Sequence, residues 1–225
     1  MKILLVRHAE SEGNVDPSIY AHKADHAIAL TTQGRAQALA IGDQVRRWLE
    51  GHLGGRSEDH DHVRMWTSPY RRTRETADGI LARAGAWISD RREHILLGEQ
   101  QFGLFDGVPD DVLPLRYPNE WAHYQKLVSQ EGKFWARMPL GESRFDVAKR
   151  VHQAFGTFHR DAASHGIETL VVVCHGVVLR AFVMMWSHLS PEWFETEPNP
   201  ANGAIRLLAD GRDCGYVFEG FSPPV

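Results

Sequence analysis

The sequence predicts an α/β fold: a three-layer sandwich with a mainly parallel central sheet and helices on both faces. Three observations carry this. Short apolar runs recur along the chain. Segments with apolar residues at three- and four-residue spacing stand between them. The two strongest runs each end in a histidine, the second directly before a helical stretch. Strands alternating with helices are the mark of a layered α/β architecture. No internal repeat, low-complexity tract or linker interrupts the pattern, so residues 1–225 are read as one domain.

Residues 2–6 (KILLV) form a continuous apolar run, as in a strand covered on both faces. After a polar loop, a helix is expected from about 36 to 49, because Ala38, Ile41, Val45 and Leu49 fall on one face. Glycines and charges over 51–61 read as a loop, and 63–67 as a second strand. Ser68-Pro69 has the form of a helix cap followed by proline at the first helical position, which opens a helix over 71–83. Residues 93–97 are the expected third strand. Pro114, Pro118 and Pro139 accompany Trp121, Tyr124, Phe134 and Trp135, which marks 109–139 as an insertion with short helices. The segment of about 107–140 has the character of a lid. Val147, Val151, Ala154, Phe155 and Phe158 give a helix over 143–162. Residues 169–174 (TLVVVC) are β-branched through their centre, and a helix follows over 177–186. Residues 204–208 and 216–218 are the expected closing strands.

Composition narrows the partners. Hydrophobic residues make up 43% and charged residues 24%, which suits a soluble globular chain. The formal net charge of −4 speaks against a nucleic-acid partner, which selects for a basic face. A small phosphorylated ligand needs only local positive charge. Cys174 and Cys214 make no C-x-x-C pair and no disulfide framework. The apolar start over 3–6 is too short for a signal peptide. The longest apolar stretch, 170–186, is broken by His175 and Arg180, so no membrane span is expected. These features place the protein in the cytoplasm. Nothing in the pattern speaks to oligomeric state.

In open α/β sheets ligands bind beyond the carboxyl ends of the strands. The first strand here ends in Arg7-His8, the second in Thr67-Ser68 with Arg71, Arg72 and Arg74 beyond it, the third near Glu99, and the fourth in His175-Gly176 at a helix start. Each residue type suits phosphoryl transfer. Arginine offers a permanent charge and forked donors to phosphate oxygens. A helix N-terminus supplies free N–H groups and partial positive charge, and Gly176 opens the backbone to an anion. A neutral imidazole is a nucleophile near pH 7. Neighbouring arginines favour an unprotonated His8. A carboxyl of raised pKa, for which Glu99 is the candidate, can protonate the leaving alkoxide and then activate water.

RHAESEGN at residues 7–14 resembles the R-H-G-E-S-x-x-N signature of the histidine phosphatase superfamily. The resemblance runs through the chain in order. LTTQGRAQA is similar to the family's L-T-x-x-G-x-x-Q-A, and SPYRRTRETA to its S-x-x-x-R-x-x-x-T-A. LGEQQFGLFDG resembles the proton-donor segment, followed by GES at 141–143 and VVVCHGVVLRAF. The resemblance implies that His8 is the phosphorylated nucleophile. Arg7, Arg72 and His175 then surround the phosphoryl group, with Ser11, Asn14 and the backbone N–H groups of Gly176 and Val177. Glu99 becomes the general acid. Neither a metal nor another cofactor is implied. Ala9 stands where the family usually has glycine.

Each residue also has a plainer reading. His8 could be a turn histidine, His175 a helix cap, Arg71, Arg72 and Arg74 a solvated helix face, and Asn14 a turn cap. Glu93, Asp106 and Glu142 compete with Glu99. The ordered set of landmarks decides against these readings. Asp59-His60-Asp61-His62 is read as a solvated loop rather than a metal site, and His22 and His26 have no assigned role. Two reactions share such a site: hydrolysis through a phosphohistidine, and the 2,3-bisphosphoglycerate-dependent phosphoglycerate mutase reaction. KFWARMPLGES resembles a phosphatase branch of the family and not the proline-rich loop of the mutases, so a metal-independent phosphomonoesterase acting on a small phosphorylated metabolite is expected. A phospholigand-binding module without catalysis is disfavoured by His8, His175 and Glu99 together.

Overall fold

Side chains alternate across a strand, and here that alternation sorts the apolar runs into two cores. The computed structural model describes residues 1–53 and 62–221. Its strands are β1 (Lys2–Arg7), β2 (Val63–Thr67), β3 (Asp90–Glu93), β4 (Thr169–Cys174), β5 (Ile205–Ala209) and β6 (Arg212–Phe218). They form one sheet in the order β3-β2-β4-β1-β5-β6. The first four strands are mutually parallel where they pair, while β5 runs antiparallel to both β1 and β6. The helices are α1 (Glu12–Val15), α2 (Thr32–Leu53), α3 (Arg71–Ala84), α4 (Leu113–Arg116), α5 (Pro118–Glu131), α6 (Arg144–His165), α7 (Gly176–Trp186) and α8 (Pro191–Thr196).

Ile3 and Leu5 of β1 join Leu170, Val172 and Cys174 of β4 in a core covered by α6 and α7. Leu4 and Val6 join Val171 and Val173 in a core covered by α2 and α3. The expected three layers are present. Helices α2 and α3 approach closely because their contact is made of small residues. A Cβ on Gly79 would lie 2.6 Å from that of Ala38, and one on Gly42 2.8 Å from the Gly79 carbonyl oxygen.

Several elements depart from expectation. The third strand is 90–93 rather than 93–97. The apolar residues Ile95–Leu97 form a 3-10 turn, with Leu97 in the core and Ile95 exposed. The sequence hid β3 because this edge strand is entirely charged. Ion pairs hold it instead of apolar burial: Arg92 to Asp161, Arg91 to Asp78, and Glu93 to Arg74. Helix α3 is capped by Tyr70, so Ser68 is not its cap and Pro69 is not its first residue. Strand β6 begins four residues before the expected 216, in a charged stretch. Helix α6 shows the capping box foreseen by neither periodicity nor motif: Ser143 accepts from the Asp146 amide, and Asp146 accepts from the Ser143 amide. Gly166 ends it in a left-handed conformation.

Leu113, Tyr124 and Ala136 of the proposed lid segment join Phe105, just before it, in a third, small apolar cluster. Asp59, His60 and Asp61 lie outside the described residues. His62, at the edge, donates from Nδ1 to the Gly166 carbonyl at 2.7 Å. Among the described residues, no helix is long and apolar enough to cross a membrane.

Candidate active site

Register places the site. Arg7 pairs with Cys174 and Thr67 with Val173, so β1, β2 and β4 end at one level. The ladder continues one step past the strands, with the His8 amide donating to Cys174 and the Ser68 amide to Val173, both at 3.0 Å. Three loops are thereby tied side by side. The His8 and His175 rings meet edge to face with centroids 5.3 Å apart.

The His8 ring is buried, and its Nδ1 lies 2.7 Å from the Ala9 carbonyl oxygen. A carbonyl only accepts, so Nδ1 carries the hydrogen and Nε2 keeps its lone pair. Burial drives the His8 pKa well below the ordinary histidine value, and Arg72 and Arg7 push it the same way. The ring is neutral, with one nitrogen available for attack.

The loop bearing His8 is braced by the residues that made the sequence pattern recognisable. The Ala9 amide donates to Thr76 Oγ1 at 3.1 Å, and the Glu10 amide to Gln37 Oε1 at 2.9 Å. Thr31 Oγ1 donates to the Glu10 carboxylate and accepts from the Gly34 amide. A Cβ on Gly34 would sit 1.9 Å from the Glu10 carbonyl oxygen, so only glycine fits there. Ala9 turns its methyl into the α2/α3 core.

Arg72 is 2% exposed and comes from the first turn of α3. Its Nη1 donates to both the carboxylate (2.6 Å) and the carbonyl oxygen (2.8 Å) of Asp25. That engages both Nη1 hydrogens and leaves Nε and Nη2 as a free fork. Its guanidinium also lies 5.1 Å from the centre of the Tyr70 ring. Arg71 and Arg74, the alternatives, pair with Glu75 and Glu93 on the surface. Arg7 donates to the Pro200 carbonyl, and its buried Nε has no protein partner.

His175 is fully buried at the start of α7. Its Nε2 sits 2.9 Å from Ser68 Oγ, and its buried Nδ1 has no partner. Burial, Arg72 and His8 all lower its pKa well below the ordinary value. The first backbone bond of α7 runs from Leu179 to His175, so the N–H groups of Gly176 and Val177 lack partners within the helix. Gly176 also stands close to a neighbour: a Cβ there would lie 2.3 Å from Asn199 Oδ1, so a larger residue would have to displace the Asn199 amide.

Glu99 is partly buried, and burial raises its pKa against the pull of Arg72, the Gln100 amide and Arg7. Arg150 of α6 fixes the segment that carries it. Its guanidinium donates to the carbonyls of Leu96 (2.7 Å), Gly98 (2.8 Å) and Glu99 (3.0 Å), and to both oxygens of Glu142. Glu142 in turn accepts from the Gln101 amide. Ser11 donates its hydroxyl to Asn14 Oδ1, which also accepts from the Ser11 amide and from Asn202. The Ser11 hydroxyl hydrogen therefore braces the loop, and Asn14 keeps only its Nδ2 for a ligand.

The structure thus brings His8, Arg7, Arg72, His175 and Glu99 into one electrostatic neighbourhood. Sequence reasoning missed Asp25, Ser68 and Arg150. Ser68 and the GES glutamate were in view as landmarks, but their partners lie far along the chain. Among the described residues no cluster of three or more His, Cys, Asp or Glu could hold a metal ion.

A model of the histidine phosphatase superfamily (branch 1) matches residues 3–217. The chain belongs to this superfamily. It is 33% identical over 229 residues to the phosphoglycerate mutase-like protein AT74H of Arabidopsis thaliana, covering 96% of this chain and 76% of that one. It is 25% identical over 281 residues to the broad-range acid phosphatase DET1 of Saccharomyces cerevisiae, covering 92% and 84%. Solved structures share the fold. Bacillus stearothermophilus YhfR superposes with a TM-score of 0.70 at 21% identity, covering 98% of each chain. A mycobacterial glucosyl-3-phosphoglycerate phosphatase superposes with a TM-score of 0.69 at 20% identity, covering 98% of this chain and 99% of that one.

Proposed function

We propose that this histidine phosphatase is a metal-independent phosphomonoesterase working through a phosphohistidine at His8. The observation that carries the reading is the His8 ring: neutral, pinned through Nδ1 to its own loop, and presenting Nε2 beside Arg7 and Arg72. In the first half-reaction Nε2 attacks phosphorus while the bond to the ester oxygen breaks. Glu99, whose pKa burial raises, gives its proton to the departing alkoxide. In the second, Glu99 takes a proton from water, which attacks phosphorus and releases His8. The Arg72 fork, Arg7 Nε, His175 Nδ1, Asn14 Nδ2 and the Gly176 and Val177 amides are the donors offered to the phosphoryl oxygens. Ser11 acts through Asn14. Donors fixed before substrate arrives stabilise charge as it builds on those oxygens. Segment 107–140 serves as the lid of a single domain, and the substrate is a small phosphorylated molecule.

The test is p-nitrophenyl phosphate hydrolysis with rapid quenching of labelled substrate. The reading expects an acid-labile, alkali-stable phosphoenzyme and turnover indifferent to EDTA. It expects loss of both with His8→Ala. Turnover that survives His8→Ala refutes it. Isomerisation of 3-phosphoglycerate with little free phosphate would replace hydrolysis by the mutase reaction.

A further inference from the structure

The loop between β1 and α2 sends Asp25 onto Arg72, the arginine that faces the phosphoryl group in the reading above. The carboxylate is largely enclosed, at 17% exposure, and the guanidinium it meets is buried. The surroundings add anions and withhold cations. Asp106 lies near enough to Asp25 for the two charges to act on each other, and burial with that repulsion pushes the Asp106 carboxyl up to about 6. The same Asp25 charge is felt at Glu99, Tyr20 and Tyr70. A cavity of about 600 Å³ opens beside Glu99, walled by Tyr70, His26, Gln101, Glu142 and Arg150. The arginines that line this cavity, and the cations that flank Asp25, each hold a carboxylate. Arg72 holds Asp25, Arg74 holds Glu93 through two bonds, Arg150 holds Glu142, and Lys23 holds Glu12. Of the arginines whose charge acts on Glu99, Arg7 and Arg180 have no carboxylate within ion-pair distance among the described residues; Arg7 stands before His8 and is assigned to the phosphoryl group, and Arg180 is buried against the Phe194 ring, donating to the Phe194 and Glu197 carbonyls.

A leaving group sits on the Glu99 side, because Glu99 protonates its oxygen. A second phosphate or a carboxylate on that group would lie in the field of Asp25, whose chain neighbour His26 lines the cavity, and of Asp106, while the arginines lining the cavity are already paired. We infer that Asp25 is a specificity-determining residue that restricts this enzyme to phosphomonoesters whose leaving alcohol carries no anionic group of its own. The inference rests on the phosphomonoesterase reading. It separates this chain from any relative whose substrate has a second phosphate or a carboxylate on the leaving group. Asp25 has a second effect that fits the same role: with Nη1 engaged twice, Arg72 offers one fork, enough for one phosphoryl group.

The matched pair of glycerol 3-phosphate and 3-phosphoglycerate tests this, since the two differ by a hydroxymethyl group against a carboxylate. The expected ratio of kcat/KM is at least about tenfold in favour of glycerol 3-phosphate, and like-charge contact is the cause. Raised ionic strength should narrow the ratio by screening. Asp25→Asn keeps an oxygen for Arg72 but removes the charge, and should shrink the ratio several-fold, which a merely structural defect would not do. A wild-type ratio near one, or below it, overturns the inference, as does an unchanged ratio in folded Asp25→Asn. Failure to hydrolyse p-nitrophenyl phosphate removes the phosphomonoesterase reading itself and this inference with it.

Discussion

Consider the replacement Arg72→Gln. The wild-type guanidinium is buried, held by Asp25 through two bonds from Nη1, with Nε and Nη2 left for the phosphoryl oxygens. At about 4 Å and an effective dielectric of about 20, one positive charge attracts each unit of phosphoryl charge by about 4 kcal/mol. Asp25 opposes this from farther away; at roughly 7 Å the same formula gives about 2.4 kcal/mol of repulsion. The intact pair therefore nets about 2 kcal/mol per unit charge, to which the charge-assisted contacts add roughly 1.5–3 kcal/mol. Removing the arginine leaves the repulsion standing. A loss of at least about 4 kcal/mol in transition-state stabilisation, a thousandfold or more in kcat/KM, is the expected outcome. The double variant Arg72→Gln with Asp25→Asn should be faster than Arg72→Gln alone, by about tenfold or more, because the stranded carboxylate is gone. The acid limb of the pH–rate profile should also move up, since Arg72 helps to hold the His8 pKa down. The assay is steady-state hydrolysis of p-nitrophenyl phosphate with circular dichroism to check folding. A loss under tenfold in the single variant, or no recovery in the double, refutes the electrostatic account of this pair.

Three further outcomes are expected. Glu99 must be protonated to act as the acid, and burial raises its pKa, so kcat/KM should fall as pH rises through that raised value. Glu99→Gln should abolish this alkaline limb, and its persistence would assign it elsewhere. Arg150→Ala should slow substrates with poor alkoxide leaving groups far more than p-nitrophenyl phosphate, because it releases the backbone that aims Glu99. Equal losses on both would make Arg150 a structural residue only. Gly79→Ala should cost about 1–3 kcal/mol by urea denaturation, since its methyl would strike Ala38 across the α2/α3 contact. A neutral result would mean that the two helices separate freely.

The strands and helices legible in the sequence were those whose stability comes from apolar burial. ILLV and TLVVVC are buried throughout in β1 and β4, and α2 and α6 turn the foreseen residues inward. What stayed hidden is held by charge. Strand β3 is Asp-Arg-Arg-Glu, and its partners are Asp161, Asp78 and Arg74, none of which an apolar period can reveal. A hydrophobic period reads burial, and an edge strand stitched by ion pairs has none to read.

The same division runs through the site. His8 and His175 were visible because each follows a buried strand, and strand register forces such ends together. Asp25 was not visible, because its meaning lies 47 positions away on a helix whose arginine it holds. Ser68 and Arg150 act on groups 107 and 51 to 54 positions distant, again without a local signal. Motif letters such as the threonines Thr31 and Thr76, Gln37 and Gly34 resolve into one physical task, bracing the turn that holds His8. An imidazole held beside buried Arg72 and half-buried Arg7 needs such bracing. The arginines that lower its pKa add like charge around it, and Asp25 answers one of them. The residue that steadies the phosphate arginine is thus the same one that sets the charge limit on what the phosphate can be attached to.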